Sequence, residues 1–239
     1  MRGSVHVGAE SESPVMPFRS KNHPYANAAR LPDGAEPARL ETVLPGFVPN
    51  GDRPLEIEVG PGRGGFMFER TAAVPELFLL GLEIRLKWAH IVDGRLLKAG
   101  LRERARVLAE DAKAALARLE PGASVRTVFL HFPDPWWKKR HEKRLVMGDI
   151  LLDQIARLLI VGGELFIQTD VEERAALYSE QVSAHPAFEP AGDLDGSPNL
   201  LENPYAARSP REHRAIADGL PVHRLRYRRR IVEDPAPAT

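Results

Sequence analysis

One stretch of the chain concentrates side chains that can do chemistry: Phe132-Pro133-Asp134-Pro135-Trp136-Trp137-Lys138-Lys139-Arg140-His141-Glu142-Lys143-Arg144. Prolines on both sides of Asp134 fix φ and hold the backbone out of helix, so the turn presents its carboxylate rigidly. Tryptophans and a run of cations follow at once. A carboxylate, flat aromatic surface and positive charge together suit a nucleobase and its phosphates. His141 reads as a polar loop residue as readily as a contact.

A second group lies upstream. Gly60-Pro61-Gly62-Arg63-Gly64-Gly65 has the G-x-G-x-x-G spacing, and Glu83 follows at the distance of a ribose-binding acid. Taken alone, the loop could hold a nicotinamide or flavin dinucleotide, or simply turn a strand into a helix. Glu58 separates the ligands. A dinucleotide sets a pyrophosphate against such a loop, and two like charges several ångströms apart cost on the order of a few kcal/mol at an effective dielectric of about 20. S-adenosylmethionine carries a sulfonium and an ammonium and no phosphate. It therefore gains from Glu58, while Glu83 can take its ribose hydroxyls and Asp111 can lie near its adenine. At a helix start, Asp111 is equally suited to capping.

The elements that must position these residues alternate regularly. Apolar runs at 55–59, 77–84, 106–109, 125–132 and 163–169 read as strands. The segments 66–73, 85–99, 112–119, 148–159 and 172–184 read as helices. The pattern predicts an α/β fold, a doubly wound and mainly parallel sheet of Rossmann-like type, closed by an antiparallel C-terminal strand at 222–231. Ligands of such sheets sit at the carboxyl ends of the strands, where this chain places Glu58, Glu83, Asp111, Asp134 and Asp170. Residues 1–54, rich in Pro, Gly and small polar residues, are expected to form a flexible arm with a short helix near 35–44. Residues 55–232 form the domain, and 233–239 a disordered tail.

Composition narrows the class. Of 239 residues, 43% are hydrophobic and 28% charged, as in ordinary globular proteins, and one large α/β domain fits that length. Lys+Arg and Asp+Glu both number 33, so any polyanion must be met by local patches such as 138–144 or the arginines of 224–230. The absence of cysteine excludes disulfides, thiolate zinc sites and cysteine nucleophiles. No metal site is suggested. The opening residues lack the apolar stretch of a signal peptide and no run is long enough to span a membrane, so a cytoplasmic location is expected. The pattern is compatible with a monomer or a homodimer.

Residues 55–64 (Leu-Glu-Ile-Glu-Val-Gly-Pro-Gly-Arg-Gly), Gly81-Leu82-Glu83-Ile84-Arg85 and the Phe-Pro-Asp-Pro-Trp motif with its basic continuation together resemble the bacterial tRNA (guanine-N7-)-methyltransferase family. The likeness extends from about Leu55 to Arg230. It implies a class I, S-adenosylmethionine-dependent enzyme that methylates guanine N7 in the tRNA variable loop, at position 46. By the same resemblance Glu58, Glu83, Asp111 and Asp134 match donor-binding carboxylates, with Gly60 and Gly62 in the loop, and Asp134 is the catalytic residue. Lys138 and Asp170 match substrate-contacting positions, and 140–145, including Arg140, His141, Lys143 and Arg144, matches a segment expected to touch RNA. The family's last motif typically reads Thr-Lys-Phe/Tyr-Glu. Here Ser209-Pro210-Arg211-Glu212 keeps the hydroxyl and the acid but places arginine at the aromatic position. Arginine can still stack on a base or pair with phosphate. The competing functions are a methyltransferase of a small molecule or protein, a non-catalytic RNA binder on the same fold, and a nucleotide-dependent oxidoreductase.

Overall fold

The computed structural model describes residues 23–133 and 148–231. Asp134, Lys138, Arg140, His141, Lys143 and Arg144, with both tryptophans of the motif, lie outside the described residues, as does the tail from residue 232.

The expected alternation is present. Strands β2 (Leu55–Val59), β3 (Phe78–Leu82), β4 (Ala105–Leu108), β6 (Val125–His131) and β7 (Leu159–Thr169) are separated by helices α2 (Gly65–Ala73), α3 (Leu86–Lys98), α4 (Ala112–Arg118) and α5 (Asp149–Leu158). Helix α6 (Glu172–Ala184), the short strand β8 (Phe188–Pro190), helix α7 (Pro210–Ala217) and strand β9 (His223–Arg229) complete the domain. The seven-stranded sheet has the order β4-β3-β2-β6-β7-β9-β8. Pairing is parallel from β4 to β7, and antiparallel for β7 with β9 and β9 with β8. The fold is thus the Rossmann-like doubly wound sheet, with two antiparallel strands at its C-terminal edge where sequence patterning shows one. β8 is too short for its period to register.

Strand β2 explains how the site is built. All five of its residues are buried, yet they alternate. Leu55, Ile57 and Val59 join the main apolar core, so Glu56 and Glu58 point to the opposite face. In-register neighbours share that face. Glu58 pairs with Phe129, Phe129 with Phe166, His131 with Gln168, and Gln168 with Arg224. Phe66 of α2 covers it, with ring centroids 4.8 Å from Phe129, and Tyr205 lies 4.8 Å from both Phe129 and Phe166. One face of the sheet is therefore an aromatic layer threaded with buried charge.

The turn between β2 and α2 requires glycine. Gly64 sits at φ +76°, and a Cβ there would lie 2.4 Å from Cγ1 of Val92 on α3. Gly64→Ala is expected to destabilise the protein by about 2–4 kcal/mol, from left-handed strain and overpacking together. Denaturant unfolding of the variant checks this.

Sequence patterning starts the ordered domain at Leu55, but the chain enters the core earlier. Leu31, Ala38, Leu40, Val43, Leu44 and Phe47 are all buried in the main cluster. Strand β1 (Ala38–Arg39) pairs with β5 (Leu119–Glu120), followed by one helical turn, α1 (Leu40–Val43). Leu40, Val43, Leu44 and Phe47 keep helical spacing, in line with the short helix expected near 35–44, although the helix itself covers only one turn. No helix among the described residues is long and apolar enough to cross a membrane.

Candidate functional site

A cleft of about 550 Å³ opens at the carboxyl ends of β2, β6 and β7. Its walls are the glycine loop from Gly60 to Arg63, the end of β6 through Pro133, the residues after β7 from Thr169 to Val171, and the start of α7 from Ser209 to Arg211. Glu58 and His131 form its floor side. Glu58, Gly60, Gly62, Asp170, Ser209 and Arg211 therefore come together from segments distant in sequence. Phe132 and Pro133, directly before Asp134 in sequence, are part of this wall.

The loop is held by its own acid. Gly60 N donates to Leu82 O (2.9 Å), and Gly62 N to Glu83 Oε2 (2.8 Å). The other Glu83 oxygen accepts from Arg85 N (2.9 Å) and Nε (3.0 Å). Glu83 is 1% exposed and is not part of the cleft wall. Its carboxylate braces the loop, with acceptor lone pairs remaining beyond these bonds. Asp111 also lies off the wall. It caps α4, accepting from Lys113 N at 3.0 Å.

Glu58 is different. It is 2% exposed, and its Oε1 accepts from His131 Nδ1 at 2.9 Å. Its Oε2 is buried with no partner among the described residues, as are His131 Nε2 and both amide atoms of Gln168. A buried polar atom without a partner costs about 1–3 kcal/mol, and such groups in a cleft mark where a ligand completes the bonding. An unpaired carboxylate oxygen beside a glycine loop fits a cationic group and repels a phosphate. The donor set thus fits S-adenosylmethionine, with its ammonium and sulfonium.

Phe132 contributes strain. Its φ is +47° although it is bulky and precedes proline, a combination of about 1–3 kcal/mol. Its N–H donates to Gln168 O at 2.8 Å, which anchors the kink. Phe132 and Pro133, which precede Asp134 in sequence, therefore line the cleft in a forced conformation.

On the opposite wall Arg211 donates to Asp170 Oδ2 through Nε (2.9 Å) and Nη2. Two residues read from sequence as separate substrate contacts form an ion pair with each other. Ser209 is 5% exposed and caps α7, its Oγ accepting from Glu212 N at 3.1 Å, with Pro210 in the first turn. Ser-Pro-Arg-Glu is a helix-start signature, which is the signal that reveals α7. Glu212 is wholly buried behind the cleft. Asn203 Nδ2 (2.8 Å) and the Arg224 guanidinium (3.0 and 3.2 Å) donate to its carboxylate.

The arginine-rich C-terminal segment is bound internally. Besides Arg224, Arg226 donates to Ala191 O and faces Glu164, Arg228 faces Glu164, Arg229 donates to Leu159 O, and Arg230 to Pro186 O. Its charge fastens β9 to the sheet. Burial, then the Glu164 carboxylate, raises the Tyr205 hydroxyl well above its ordinary pKa, so it stays a donor to Glu164 Oε2 at 2.8 Å. Sequence reasoning passed over His131, taken as part of the apolar run 125–132; a histidine directly before the Phe-Pro-Asp-Pro motif is the available signal. Among the described residues no group of three or more His, Cys, Asp or Glu could hold a metal ion.

Comparison with known proteins agrees with this geometry. Residues 52–225 match a family described as putative methyltransferases. The chain is 35% identical to a tRNA (guanine-N(7)-)-methyltransferase of Thermosynechococcus vestitus, over 74% of this chain and 81% of that one. It is 34% identical to a protein of the same name from Myxococcus xanthus, over 80% and 94%. Among solved structures, the fold is similar to TrmN from Thermus thermophilus (TM-score 0.52, 18% identity, 74% and 45% of the two chains). It is also similar to the [4+2]-cyclase SpnF (TM-score 0.51, 14% identity, 75% and 76%).

Proposed function

The chain belongs to the tRNA (guanine-N(7)-)-methyltransferase family, and on that premise we propose that it moves a methyl group from S-adenosylmethionine to N7 of a guanine in tRNA, nucleotide 46 of the variable loop. The observation that carries this reading is the cleft itself, with the unpaired Glu58 oxygen beside the glycine loop and with Phe132 and Pro133, the first two residues of the Phe-Pro-Asp-Pro-Trp motif, on its wall.

Guanine N7 has an accessible lone pair, so no base must first remove a proton. The bond from N7 to the methyl carbon forms as the bond from sulfur to that carbon breaks, and S-adenosylhomocysteine departs. Catalysis then comes from holding both partners in line. The guanine gains positive charge, and a carboxylate beside it stabilises the transition state. In this assignment Glu58 takes the donor's ammonium, Gly60 and Gly62 let the backbone approach, and Glu83 and Asp111 serve the ribose and adenine end. Asp134 faces the guanine, accepting from N1–H and the 2-amino group. Asp170 contacts substrate once Arg211 releases it, and Arg211 then turns to base or phosphate beside Ser209. Glu212 acts by anchoring α7. Lys138, Arg140, His141, Lys143 and Arg144 meet the RNA backbone.

The deciding experiment incubates the protein with labelled methyl donor and unmodified tRNA. Label recovered as 7-methylguanine supports the reading. Donor binding without transfer points to a non-catalytic RNA binder, and label in a small molecule or protein to another substrate. Arg140→Ala combined with Lys143→Ala is expected to weaken tRNA binding and to reduce the slope of log K against log salt by about one to two. An unchanged slope, read from titrations at several salt concentrations, would remove this segment from the RNA contact.

A further inference from the structure

His131 ends β6 with its side chain 3% exposed, as is that of Glu58. Its ring is confined by Phe66 (centroids 4.3 Å apart, 62° between planes), Phe129 (5.4 Å, 25°) and Phe166 (6.1 Å, 75°). Within that cage the Nδ1 contact to Glu58 Oε1 at 2.9 Å is the polar tie the structure records for the ring, since Nε2 has no partner among the described residues. An ionised carboxylate only accepts, so Nδ1 is the donor in this contact. The aromatic cage fixes the ring, and the ring fixes the carboxylate. One Glu58 oxygen is occupied; the other is buried with no partner among the described residues, in a side chain that borders the cleft.

We propose that His131 is a positioning residue for the amino-acid end of the methyl donor: it holds Glu58 in the single orientation that leaves Oε2 to receive an ammonium group. The inference deepens the donor-binding reading above and rests on it. The contribution of His131 is that the carboxylate does not have to be ordered when the donor arrives, which is preorganisation in the usual sense.

The test compares two ligands on the full-length protein. S-adenosylhomocysteine carries the ammonium; 5′-methylthioadenosine has the same adenosine and thioether and lacks the amino-acid group. His131→Phe keeps a ring in the cage and removes the donor. His131→Asn places an amide N–H close to the position of Nδ1. By calorimetry, His131→Phe is expected to weaken S-adenosylhomocysteine about tenfold, the scale of a lost hydrogen bond to a charged group, and to leave 5′-methylthioadenosine unchanged. His131→Asn is expected to restore most of the difference. If phenylalanine is not accommodated, His131→Leu makes the same comparison. Equal loss for both ligands would mean a purely structural role, and no loss for either would remove His131 from the site; both overturn the proposal. If the wild-type protein binds 5′-methylthioadenosine and S-adenosylhomocysteine equally, the ammonium contact is refuted while methyl transfer stands. If it binds neither, the donor reading itself fails, and this inference with it.

Discussion

Asp134→Asn is expected to lower methyl transfer to tRNA by about 10²–10³-fold while donor binding remains measurable, the magnitude typical of removing one preorganised electrostatic stabiliser. The amide keeps the shape of the carboxylate, so the change isolates charge and acceptor capacity. Guanine N7 becomes cationic as the methyl group arrives, and a neutral amide does not follow that charge. An asparagine also offers one acceptor oxygen where guanine presents two donors on its N1 edge. Single-turnover kinetics with saturating tRNA, paired with a donor-binding titration, read the two effects apart. Turnover close to wild type would remove Asp134 from the reaction. The strained Phe132 at φ +47° is consistent with a turn whose position matters more than its local stability.

Glu56→Ala is expected to cost about 3–5 kcal/mol of folding stability, because it strands a buried cation. Glu56 is fully buried. Its Oε2 accepts from Arg70 Nε at 2.8 Å, and its Oε1 from Arg70 Nη2 and Arg126 Nη2, both at 2.7 Å. Arg70 is itself 6% exposed, bonds Tyr205 O and lies with its guanidinium 5.6 Å from the Tyr205 ring centre. Arg126, 43% exposed in its side chain, can turn to water; Arg70 cannot. The double change Glu56→Leu with Arg70→Met should therefore recover much of the loss, since a buried pair replaced by apolar groups is often near neutral. Denaturant unfolding of the three proteins gives the comparison. A single-variant loss below about 1 kcal/mol, the range of exposed ion pairs, would show that water reaches this pair.

The fold was legible because its signals are local. Leu55–Val59 and Glu172–Ala184 have the bounds their periodicity indicates. The glycine loop announces its own turn, since Gly64 must be glycine for reasons of φ and of contact with Val92. The first part of the domain was not legible in the same way. Leu31, Leu40 and Phe47 join a core whose other members, such as Phe78 of β3 and Leu116 of α4, come from distant parts of the chain. Helix α7 lies between; its Ser-Pro-Arg-Glu start is readable as a cap, but the same four residues also carry a likeness to a substrate motif.

The sequence by itself determined the class of fold, the glycine loop and the acids at the strand ends, because alternation, turn chemistry and spacing are properties of neighbours along the chain. Only the tertiary structure decided what each acid does. Glu83 braces the loop and Glu212 is tied to Arg224, while Asp170 is paired with Arg211. Glu58 keeps an oxygen unpaired at the cleft because His131, on the adjacent strand, takes the other. The arginines of β9, which read in sequence as a patch for a polyanion, are spent on internal acceptors. These outcomes depend on strand register and on helices arriving from distant parts of the chain. A charge shows in the sequence, but its partner is set by which residues the folded sheet brings within 3 Å of it.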